Sequence, residues 1–74
     1  MIKVISSNGH TVIGVDVNEV LVAVADPTAW DTRDRKNSKV LEFRLCVTMK
    51  NGQSQYVTLT AEALEKFMTA LETR

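Results

Sequence analysis

"KVLEFRLCVTMKNGQSQYVTLT", Lys39 to Thr60, decides how this chain folds. In its first half Leu41, Phe43, Leu45, Val47 and Met49 alternate with Val40, Glu42, Arg44, Cys46 and Thr48. A period of two sends successive side chains to opposite faces, so the run reads as a half-buried β-strand. Asn51-Gly52 then turns the chain into a second strand carrying Val57 and Leu59. A two-residue loop would set Val57 opposite Cys46 and Leu59 opposite Arg44. A three-residue loop, Lys50 to Gly52, with Gly52 left-handed, instead pairs Val57 with Leu45 and Leu59 with Phe43. One residue of slip exchanges the two faces of a strand, so apolar matching selects the three-residue loop.

Downstream lies a helix over about residues 61–73. Thr60 is placed to cap it, and Glu62 sits near the positive end of its dipole. Leu64, Phe67, Met68 and Leu71 form one stripe at helical spacing, with Glu62, Glu65, Lys66, Thr69 and Glu72 left for water. The stripe must bury itself against the face of Phe43, Leu45, Val47, Val57 and Leu59. At roughly 1.5–3 kcal/mol per large side chain, that burial is the main term holding the fold together.

Upstream, "IKVIS" and "TVIGVDV" flank Asn8-Gly9, a type I′ hairpin signal because both residues tolerate positive φ. This pairs Ile5 with Val12, Val4 with Ile13 and Ile2 with Val15. A turn at "DVN" leads into "EVLVAVA", whose Val20, Val22 and Val24 are expected to extend the helix-covered face. Asp26-Pro27 ends that strand and opens a long loop over residues 26–39. The fold class is α+β: one domain, residues 1–74, as an antiparallel five-stranded meander with a single C-terminal helix on one face.

The composition narrows the function. Nine basic and nine acidic residues give zero formal charge, which argues against a general polyanion binder. A single cysteine, Cys46, forms no disulfide within the chain, and no leader or membrane-length apolar run is seen. A cytoplasmic protein, not membrane-bound, is expected. No catalytic residue, metal ligand or cofactor is assigned. Ser6, His10 and Asp16 make a triad only on paper, since a hairpin offers no strained nucleophile turn and no oxyanion hole. His10 is an exposed turn residue with no second histidine beside it. Cys46 is a packed thiol with only Arg44 near enough to favour a thiolate. The glycines form no phosphate loop.

One helix covers one side of the sheet. The other side is expected to carry Val40, Cys46 and Tyr56, with Ile5, Val12, Leu21, Ala23 and Ala25. Solvated sheet faces normally alternate cleanly to polar, so an apolar reverse implies an interface. A second copy is the commonest such partner, which assigns Val40, Cys46 and Tyr56 to self-association. The loop holds the only tryptophan and the only proline of the chain. Trp30, Arg33, Arg35 and Lys36 are the candidate contacts for another, larger protein, since Trp and Arg are enriched among binding hot spots. The sequence therefore points to a non-enzymatic protein-binding module that blocks or recruits a larger protein as a homodimer. The rival is a sheet that binds single-stranded nucleic acid through Arg44, Thr48, Tyr56 and Thr58.

Overall fold

The computed structural model describes residues 1–33 and 36–74. Its elements are β1 (Ile2–Ile5), β2 (Val12–Val15), a 3₁₀ turn (Val17–Glu19), β3 (Val20–Asp31), β4 (Lys39–Met49), β5 (Ser54–Thr60) and α1 (Ala61–Glu72). All strand pairs are antiparallel, and the helix closes the chain as expected.

The β4–β5 hairpin has the register that apolar matching selects. Leu45 faces Val57, Phe43 faces Leu59, and Gly52 takes a φ of 90°. The first hairpin also has its expected register, with Val4 opposite Ile13 and Ile2 opposite Val15. Its turn differs. Only Gly9 has positive φ, so the bend is not type I′. Ser6 accepts from the Gly9 amide through its carbonyl, and the Asn8 carboxamide oxygen accepts from the Ser6 hydroxyl (2.6 Å) and the His10 amide (2.9 Å). Those local bonds hold a wider loop without placing Asn8 in the left-handed region.

The five strands fall into two sheets, β1-β2 and β3-β4-β5, instead of one continuous layer. The 3₁₀ turn, capped by Asp16 on the Asn18 amide, separates β2 from β3. The hairpin is tied instead to β5, where the Ser7 amide donates to the Thr58 carbonyl at 2.8 Å. Val4 and Val15 from the hairpin, Phe67 from the helix, and Val20, Leu45, Val47, Val57 and Leu59 from the larger sheet form one buried cluster. Hairpin and helix therefore share the same side of the three-stranded sheet. Arg74 adds a clasp, donating to the carbonyls of Val17 (2.9 Å) and Val20 (2.8 Å).

Two expectations about β3 are corrected. Its valines do not share one face: Val20 is buried opposite Met49, but Val22 pairs with Thr48 and Val24 with Cys46, on the far side. A bulge at Leu21 is the cause, since one extra residue reverses the alternation beyond it. Ala23 and Ala25, expected on the reverse, pair with Val47 and Leu45 and pack against the core. Nor does the strand end at Asp26. β3 runs to Asp31 and β4 begins at Lys39, so strand replaces both ends of the loop expected over 26–39. Pro27 is accommodated because β3 is an edge strand, and a second irregularity follows it between Pro27 and Ala29.

Candidate functional site

The pairing of β3, β4 and β5 assembles the reverse face row by row. Val22, Thr48 and Ser54 form one row; Val24, Cys46 and Tyr56 the next; Asp26, Arg44 and Thr58 the third. The middle of this face is apolar and open: Val24 is 50% exposed and Tyr56 59%. Leu21, lifted out by the bulge, adds a further exposed side chain at the β3 margin. The margins are polar. The Thr48 and Ser54 hydroxyls are hydrogen-bonded at 3.0 Å, and Asp26 lies directly across from Arg44.

Arg44 places its guanidinium over the Tyr56 ring, 4.7 Å from the centroid. The two sit diagonally on neighbouring strands, within reach of a long side chain. A cation over an aromatic face is attracted by the ring quadrupole, so Arg44 pins the tyrosine and occupies that face of it.

Of the residues assigned to self-association, Cys46 and Tyr56 lie side by side on this face. Val40 is set apart. A register irregularity separates it from Glu42, and it lines a groove of about 280 Å³ with Leu41, Thr60, Ala61 and Glu62. The bulge at Leu21 supplies Val22 and Val24, which sequence reasoning missed. In "LVAVA" both phases of the alternation are apolar, so periodicity carries no information about facing there. Ile5 and Val12 are exposed as expected, but on the β1–β2 hairpin.

Of the residues assigned to a larger partner, Trp30, Arg33 and Lys36 sit on or beside an arm made where β3 and β4 continue past the end of β5. Trp30 pairs with Val40 near its tip and is half exposed. Arg33 folds back on Asp31: its Nε donates to Oδ1 at 2.9 Å, its terminal amine to Oδ2 at 2.6 Å, and its backbone amide to Oδ1 at 3.1 Å. The Arg33 side-chain and backbone bonds hold the Asp31 carboxyl below the usual carboxylate range, with Lys39 adding to the effect. The same pair raises the Arg33 guanidinium further. Arg33 and Asp31 thereby form an exposed ion pair at the arm tip. Lys36 is exposed on the connecting loop, and Arg35 lies outside the described residues.

Arg44, Thr48, Tyr56 and Thr58, the set that would meet a nucleic acid, also share the reverse face. Asp26 and Glu42 flank Arg44 there. Among the described residues no group of three or more His, Cys, Asp or Glu is placed to hold a metal ion, and no helix is long and apolar enough to cross a membrane. Compared with known proteins, the chain matches no family model, no curated protein and no solved structure.

Proposed function

We propose that this chain is a non-enzymatic docking module that pairs with a second copy of itself and seats a larger protein, blocking or recruiting it. The observation that carries the reading is the bare apolar centre of the reverse face, Val22, Val24, Cys46 and Tyr56, on a sheet whose other side already holds hairpin and helix. Exposed apolar patches of this kind mark interaction sites. A second copy is the first occupant because the chain is formally neutral and the patch is bordered by both signs, Asp26 and Glu42 beside Arg44. Two copies bordered in this way meet without net repulsion. The arm is the contact for the larger partner, with Trp30 as anchor and Arg33 as an exposed cation beside it.

The docking surface is small. Three strands about 4.8 Å apart and some seven residues long span only about 15 by 24 Å. Standard stable interfaces bury about 800 Å² per partner, so the self-pairing is expected to be weak unless further surface joins it.

Light scattering on the chain and on Val24→Asp tests the reading. The unaltered protein should have the mass of a dimer at high concentration, and Val24→Asp that of a monomer whose melting temperature matches the unaltered chain at dilutions where it is unpaired. A Val24→Asp dimer of full strength would overturn it. The nucleic-acid reading is favoured by the shared face of Arg44, Thr48, Tyr56 and Thr58, but Arg44 already covers one side of the single aromatic ring there. A labelled oligonucleotide titration at two salt concentrations separates the classes: steeply salt-dependent binding would favour nucleic acid over protein docking.

A further inference from the structure

We infer that two copies join edge to edge along β3, merging their three-stranded sheets into one of six strands. The inference rests on the homodimer reading above and says where the second copy sits. β3 has β4 on one side and no strand of the described residues on the other. A free edge presents backbone N–H and C=O groups that template another strand, and natural edges are defended by charge, proline or bulges. Here the defences stand at the ends, in the bulge at Leu21 and in Asp26-Pro27. Between them Val22, Ala23, Val24 and Ala25 carry no charge, no proline and no glycine.

An antiparallel copy related by a two-fold axis through the sheet keeps like faces together. Centring that axis on Ala23 sets Val22 against the partner's Val24, and Val24 against the partner's Val22. Directly opposed side chains are about 4.5–5.5 Å apart, so four valines would close one apolar cluster on the reverse side. Moving the axis to Val24 would instead set Val22 against the partner's Asp26. That places a carboxylate beside an apolar side chain and leaves part of it without water. The first register is therefore the one chosen. It also adds main-chain hydrogen bonds to a patch that is small by itself. Cys46 and Tyr56, one and two strands in from the edge, lie beyond this seam on the merged sheet.

Amide hydrogen exchange followed by NMR at low and high concentration tests this geometry. Along Val22–Ala25, amides not bonded to β4 point to the free edge. They should exchange roughly tenfold more slowly once nine-tenths of the chain is paired, because they open only in the monomer. In a Cys46→Ser background, Ala23→Cys should cross-link two chains under mild oxidation, its Cα atoms lying within the roughly 4.4–6.8 Å a disulfide needs. Tyr56→Cys in that background should not. A dimer whose edge amides stay unprotected and which cross-links through Tyr56→Cys would overturn the edge geometry and leave the docking reading standing. A monomer at every concentration would overturn both.

Discussion

Single side chains carry separable jobs here. Leu45 is fully buried between the sheet and the helix, so Leu45→Ala leaves a cavity and should cost about 2–5 kcal/mol, read as a lower denaturant midpoint. Gly52 has a φ of 90°, where a Cβ meets its own backbone, and Gly52→Ala should cost about 1 kcal/mol or more although nothing else lies near that position. Trp30 is the opposite case. Half exposed at the arm, it should be replaceable by Ala with little change in melting temperature but a loss of about 2 kcal/mol or more in affinity for a protein partner. A large fall in stability with intact binding would make it a structural residue. Asp31 tests the ion pair on the arm. Its carboxyl is depressed in the folded chain, so whatever the Arg33 pair contributes is present above the unfolded-state carboxylate pKa and is lost as pH falls through the depressed value. Arg33→Gln should raise the Asp31 titration midpoint, followed by NMR, toward the ordinary carboxylate range, with the backbone bond and Lys39 still holding it partly down. An unmoved midpoint would remove the Arg33 side chain as the cause.

Elements differ in how far their sequences determine them. β4 was legible because its two phases differ chemically, Phe43 and Leu45 against Glu42 and Arg44, and its turn admits one register that buries the right set. The helix was legible from Thr60 as cap, which accepts from the Ala63 amide at 3.3 Å, and from its apolar stripe, of which Phe67 is the deepest residue. β3 was not. Valine on one phase and alanine or leucine on the other gives two apolar faces, and the bulge that chooses between them has no signature in "EVLVAVA". The length of β3 was hidden too, because Asp26-Pro27 reads as a stop unless the strand is known to be an edge. Of the candidate face, Cys46 and Tyr56 followed from β4 and β5, whereas Val22 and Val24 came only with the structure. A deletion separates these accounts. Removing Leu21 takes out the extra residue and leaves Val22 and Val24 facing outward, so the variant should fold. Loss of NMR dispersion in that variant would contradict the assigned bulge.

At the scale of the molecule, the distribution of cover is unequal. Helix and hairpin both press on one side of the larger sheet, and Arg74 ties the end of the helix to the entry of β3. The reverse is left with aliphatic side chains, one aromatic ring and a border of mixed charge. At about 25 cal/mol per Å² of apolar area, a few hundred Å² left wet is comparable with much of the net stability of so small a domain. Pairing along the free edge of β3 would cover the Val22–Val24 part of that face and relieve part of the cost. Sedimentation equilibrium of the unaltered chain, from micromolar to millimolar, tests this most directly. The fitted mass should rise from 8.2 kDa toward twice that value and level off there. A mass fixed at that of one chain across the whole range would show the reverse face content in water, and the docking account would fall with it.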